Sequence, residues 1–140
     1  MKTWVHFAAS LILAAILYPL YNWKVILVFA GGVLIDIDHY FWYIYKYRKF
    51  NIFQAYKFFL KNMIKRDFSS VSGILLIFHT IEFLLIIVIL SIYLDFIFIF
   101  ATGLLLHYLL DLIYLYSVPK QFIANHSIIY WIYRNKIQNV

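Results

Sequence analysis

Eight side chains stand out because their types could do chemistry and their surroundings should not tolerate them. Asp36, Asp38, Glu82 and Asp111, with His6, His39, His79 and His107, all lie inside long apolar runs that contain no Lys or Arg. A carboxylate at the centre of a membrane span costs about 2.5–3.5 kcal/mol on an insertion scale, so four acids must be protonated, wet or bound to cations. Carboxylate oxygen and imidazole nitrogen together are ligands for zinc, manganese or iron, and one or two divalent ions would neutralise much of this charge. The chain has no cysteine, which excludes thiolate sites and disulfides.

Spacing strengthens the reading. On a helix, residues three or four apart share a face, so His79 with Glu82, His107 with Asp111, and Asp36 with His39 each form a pair. Such pairs on facing helices recur in metal sites built inside helix bundles. Asp38 breaks the pattern, because two residues is about 200° around a helix. For Asp36 and Asp38 to act together the helix must distort or end near Ile35–His39, and Gly31-Gly32 just before would permit a bend or a close helix contact. All eight residues are expected to bind metal, with Glu82 or Asp38 also serving as general base.

The elements that carry these residues follow from hydropathy. The 140 residues are 66% hydrophobic and 13% charged, with a mean hydropathy of +0.86. A soluble domain is nearer half apolar, and so few charges cannot coat a surface in water. The expected fold is therefore all-α: one polytopic membrane domain, 1–140, with four transmembrane helices at about 4–21, 25–45, 71–93 and 96–116. Aromatic residues crowd the span ends, where interfacial rings settle. No small-x-small site follows the first run, so it reads as a retained span and not a cleaved signal peptide. Between the second and third spans, 48–66 carries apolar and basic residues on different faces at helical spacing, as an interfacial helix would. The tail 121–140 reads as a second interfacial segment.

Charge sets the orientation. If the loop between spans two and three is cytoplasmic, both termini are too, and eleven of the twelve Lys and Arg lie inside, with Lys24 alone outside. The net charge of +6 then points to anionic lipid headgroups as partners and not to nucleic acid. On this topology the sequon Asn125-His126-Ser127 faces the cytoplasm and is not a glycosylation site. All eight ionisable residues then fall within roughly 3–17 Å of the inner surface, counted at about 1.5 Å per residue. The spans alternate in direction, so this common level is the strongest functional signal in the chain.

Residues 31–39, Gly-Gly-Val-Leu-Ile-Asp-Ile-Asp-His, resemble the G-x-L-x-P-D-x-D-H element of the membrane-bound metal-dependent hydrolases related to YdjM. His6 resembles that family's early histidine, and Gly103, His107 and Asp111 resemble its later Gly-x-x-x-His-x-x-x-Asp element. Ile35 stands where the family usually has proline. The family's His-Arg-x-x-Thr-His-Ser element is reduced to His79-Thr80-Ile81-Glu82, with Glu82 as the expected replacement for the missing histidine. The resemblance implies a metal-dependent hydrolase of the inner leaflet, acting on a lipid or phosphoester. The alternatives are a cation or proton transporter, which needs a polar route to the outer face, and a structural membrane protein whose polar groups only join helices.

Overall fold

The computed structural model describes residues 2–65, 67, 69–71, 73–116 and 126–138, and shows an all-helical protein. Arg66, Lys120 and the first part of the expected tail, 121–125 with the sequon's Asn125, lie outside the described residues. The helices are α1 (Thr3–Tyr21), α2 (Ile26–Gly32), α3 (Ile37–Tyr47), α4 (Ile52–Lys65), α5 (Ile81–Ser91), α6 (Asp95–Tyr116) and α7 (Ile128–Gln138). Two helical stretches, Thr3–Tyr47 and Asp95–Tyr116, are long and apolar enough to cross a membrane.

The molecule is apolar outside and polar within. Leu20 on α1 is 73% exposed and Leu109 on α6 is 53% exposed, whereas His6, Ser10, Thr80 and His107 are at most 1% exposed. Exposed apolar residues are ordinary singly, but here they run along the outer faces of α1, α5 and α6.

Helix α1 ends where Asn22 takes a positive φ of 49° and donates its N–H to the Tyr18 carbonyl. A short 3-10 turn, Asn22–Val25, then returns the chain into α2. Helices α2 and α6 pack at backbone distance because both present glycine. A Cβ on Gly31 would lie 2.1 Å from the Phe100 carbonyl oxygen, and one on Gly103 would lie 2.2 Å from that of Val28. Above the polar residues, Ala14, Val28 and Ile99 form a core with Leu13, Leu17 and Val25 packed against it.

The helix break expected near Ile35–His39 is present. α2 stops at Gly32, Val33 departs from helical geometry (φ −132°, ψ −47°), Leu34–Asp36 make one 3-10 turn, and α3 begins at Ile37. The interruption undoes the 200° offset that a continuous helix would impose, and Asp36 and Asp38 reach the same histidines. It also leaves the Gly32 carbonyl without a helical partner.

The expected basic helix is α4, packed through Phe58 and Phe59 against Trp42 of α3 and against Val71, Ile74 and Leu76. Lys46 secures the following segment by donating to the Ser70 carbonyl at 2.9 Å. Asp67 accepts both the hydroxyl and the backbone N–H of Ser69, which hold its carboxyl below the usual range.

The expected helix over 71–93 is corrected. It is α-helical only from Ile81 to Ser91, about 16 Å of rise against a hydrocarbon core of about 30 Å. The residues before it form a 3-10 turn at Ser69–Val71, a bend at Gly73 (φ 76°) and a second 3-10 turn at Ile77–His79. Thr80 then caps α5, its side-chain oxygen accepting the Phe83 N–H. Apolarity alone predicted a helix here, but side chains elsewhere satisfy the irregular backbone. Asp38 accepts the Phe78 N–H at 3.1 Å, and the Tyr108 hydroxyl lies 3.0 and 2.8 Å from the carbonyls of Phe78 and Thr80. Irregular backbone among apolar helices survives only where such partners exist.

Candidate metal centre

Four segments bring polar side chains to one place: α1 with His6, the break and start of α3 with Asp36, Asp38 and His39, the 3-10 turn before α5 with His79, and α6 with His107 and Asp111. Seven of the eight residues singled out in the sequence therefore meet.

The centre is the pair His79 and His107. Their Nε2 atoms lie 3.2 Å apart. His107 Nδ1 donates to the Gly32 carbonyl at 2.9 Å, the acceptor that the helix break releases. His79 Nδ1 donates to Asp38 Oδ2 at 2.9 Å. With both rings neutral and each ring proton on Nδ1, the two Nε2 lone pairs face each other, and a cation bound between or beside them would relieve their repulsion; a proton on one Nε2 would bridge them in the same place. Carboxylate–histidine and carbonyl–histidine bonds of this kind are how metal-binding imidazoles are fixed in orientation and tautomer.

Oxygen atoms surround the pair. Asp36 Oδ1 is 3.5 Å from His79 Nε2 and 3.6 Å from His107 Nε2. Asp111 Oδ2 is 3.2 Å from His107 Nε2 and 3.8 Å from His79 Nε2. Ligands about 2.0–2.1 Å from a tetrahedral ion stand about 3.3 Å from one another, so these separations suit neighbours on a shared cation. His6 extends the group. Its ring stacks on His107 with centroids 3.8 Å apart, and its Nε2 is 3.2 Å from Asp111 Oδ1. Neither ring nitrogen of His6 makes an aligned hydrogen bond, though the residue is 1% exposed. A buried imidazole held by a poorly aligned carboxylate contact is incompletely satisfied, and a ligand role would relieve it.

Three overlapping groups have geometry able to hold an ion: His6, His107 and Asp111; Asp36, His79 and His107; and Asp38, His39 and His79. Asp38 differs from the other two acids. It is 8% exposed, and both its oxygens are engaged, Oδ1 with His39 Nδ1 at 3.0 Å and Oδ2 with His79 and the Phe78 N–H. Those bonds make it an orienting carboxylate for two histidines. His39 is less enclosed, with 28% of its side chain exposed, and its ring rests edge-on against Phe59.

Glu82 is the exception among the eight. The expectation that it joins the metal ligands or serves as base is corrected by where its carboxylate goes. Oε1 accepts the Ser127 hydroxyl at 2.6 Å and the Ile129 N–H at 3.3 Å, and Oε2 accepts the Ile128 N–H at 3.1 Å. It therefore caps the N-terminus of α7, where free N–H groups favour a negative charge. The helical count from His79 to Glu82 fails because His79 lies in a 3-10 turn and Glu82 in the next helix, with the extended Thr80 between them.

Three participants were missed in the sequence. Tyr108 is one, and its position next to His107 was the available clue. Ser10 is fully buried, one helical turn after His6, and its hydroxyl oxygen would lie 2.2 Å from a Cβ on Gly32. The Gly32 carbonyl is a backbone partner that no residue type announces. No protein-family model, curated protein or solved structure matches this chain.

Proposed function

We propose that this protein is a membrane-embedded metal-dependent hydrolase working near the cytoplasmic leaflet. The carrying observation is the pair of facing Nε2 atoms on His79 and His107, each oriented by a hydrogen bond from its other nitrogen. The ligands are His79, His107, Asp36 and Asp111, with His6 held against Asp111 in reserve. A divalent ion held by these residues would supply a water of lowered pKa and polarisation of an ester or phosphoester. Zinc is the first choice for a mixed nitrogen and oxygen set, with manganese and iron next.

The chain's own groups divide the remaining work. Asp38 fixes the tautomer of His79 and, through its other oxygen, that of His39. With Nδ1–H committed to Asp38, His39 keeps a lone pair on Nε2 and is the general base, because it is the least enclosed histidine of the cluster. The role expected of Glu82 or Asp38 thus passes to His39. In this reading the outer apolar faces meet lipid, the chain crosses the membrane four times with an irregular third passage, and the Lys and Arg distribution keeps both termini cytoplasmic. The basic face of α4 meets anionic headgroups. The apolar core of Ala14, Val28 and Ile99 adjoins the polar layer without charged groups, which supports a hydrolase over a transporter.

The test is elemental analysis of protein extracted in mild detergent, followed by turnover of ester and phosphoester substrates. One zinc, manganese or iron per chain, lost in His107→Ala, with activity abolished by chelator and restored by the ion, is the expected result. Wild-type protein free of metal after gentle extraction and refilling would overturn the reading.

A further inference from the structure

A cavity of about 380 Å³ lies beside the cluster, between the start of α1, the helix break and α4. Its walls are mainly apolar, from Leu34 and Ile37 on one side and Tyr56, Phe59, Leu60 and Met63 of α4 on the other. Those four positions recur at helical spacing, so one face of α4 is given over to the cavity. The other face carries Lys57, Lys61 and Lys65, all exposed.

Apart from tyrosines and Asn62, whose amide is engaged with Ser70, the polar lining lies at or near the cluster. Asp36 and His39 belong to it, and Lys2 and Thr3 sit within about one helical turn of His6 on α1. Deeper apolar walls come from Val71 and Ile74, which belong to the packed core that includes Phe59. The cavity is thus a mainly apolar chamber, and Asp36 and His39 bring one edge of the candidate metal centre to its wall. Lys2 also lines the chamber and brings a positive side chain to it.

We propose that this chamber binds the hydrocarbon tail of a single-chain amphiphile and presents its anionic head to Lys2 and the metal centre. The inference rests on the cluster holding a cation and adds the substrate class. The volume is near the lower end of the range for small-ligand pockets, about 300–1,000 Å³, which fits one chain and not the two of a bilayer phospholipid. Transfer from bilayer to chamber costs little, because both are apolar, and the head leaves an interface that the same depth provides. Charge supplies the selectivity: a lysine and a bound divalent ion at the wall of a greasy slot favour a phosphate or carboxylate over a neutral alcohol.

The experiment uses the full chain in phosphatidylcholine nanodiscs and a monoalkyl phosphate with a photoreactive group at the end of its chain. Cross-links are mapped by peptide mass spectrometry. They are expected on Val71 and Ile74 and on the Tyr56–Met63 face of α4, suppressed by excess dodecyl phosphate or laurate and not by dodecanol. Ala55, 2% exposed and lining the chamber, gives the filling variant Ala55→Trp, which should lower labelling about tenfold. Leu60→Trp does the same from a half-buried position where folding is less at risk, and Leu109→Trp on the outer face of α6 should change nothing.

Labelling spread equally over Leu105, Leu109 and Leu112 of α6 would mean bulk lipid only and would overturn the proposal. So would unchanged labelling in both filling variants, or equal competition by dodecanol. The two readings fail separately. Metal at one ion per chain with scattered labelling removes the chamber and keeps the centre. Labelling on α4 in protein that never holds metal removes the hydrolase and keeps the chamber.

Discussion

His79 Nε2 and His107 Nε2 face each other across 3.2 Å, one held by Asp38 and the other by the carbonyl of Gly32. The two rings come from segments that share no helix, and each is oriented by a group from the interrupted stretch that runs from α2 into α3. The break between α2 and α3 is therefore the device that assembles the centre. It supplies a free carbonyl to one imidazole and a carboxylate to the other.

Asp38→Asn should separate orientation from ligation. Asparagine keeps the size but loses the charge and presents an amide where an acceptor is needed. Metal affinity should fall about 10–100-fold, the usual cost of losing an outer partner, while the ion still binds at high concentration. Titration of zinc into stripped protein reads this directly. Asp111→Asn and Asp36→Asn, which remove ligand charge, should lose more, and an Asp38→Asn loss as large as theirs would place Asp38 among the ligands.

Glu82→Gln should leave metal content and turnover unchanged. Its effect should appear at α7, as faster amide hydrogen exchange at Ile128 and Ile129, the two N–H groups that the carboxylate accepts. Loss of metal in this variant would restore Glu82 to the ligand set.

Gly31→Ala should destabilise the protein by about 1–3 kcal/mol, as overpacking does, because the new methyl meets backbone that cannot turn aside. Gly32→Ala meets the Ser10 hydroxyl instead, the end of a small side chain. The double variant Gly32→Ala with Ser10→Ala should recover most of the stability lost in Gly32→Ala alone. Thermal unfolding in detergent measures all three, and equal losses for Gly31→Ala and the double variant would contradict this packing account.

Tyr108→Phe removes the donor that serves the carbonyls of Phe78 and Thr80. Leaving buried carbonyls unsatisfied costs about 1–3 kcal/mol, and the turn that aims His79 should loosen. Expected readouts are a lower unfolding temperature and weaker zinc binding, with the metal stoichiometry unchanged. A variant with wild-type stability and affinity would show that another donor takes over.

Much of this was legible in the chain itself. Hydropathy determined the helical class and the apolar stretches that carry Thr3–Tyr47 and Asp95–Tyr116, because a lipid-facing helix must be apolar on every exposed side. The isolation of acids and histidines marked out seven residues that do meet, and the mismatch between Asp36 and Asp38 announced the broken helix between them. Tertiary structure alone decided the rest. Helical spacing could not place Glu82, since that count holds only inside a continuous helix and the chain leaves one at Ile77–Thr80. Nor could it show that a carbonyl at Gly32 and a hydroxyl on Tyr108 complete the centre. Such partners are chosen by three-dimensional proximity between segments far apart in sequence, and every residue has a carbonyl to offer, so residue type carries no sign of which one is used.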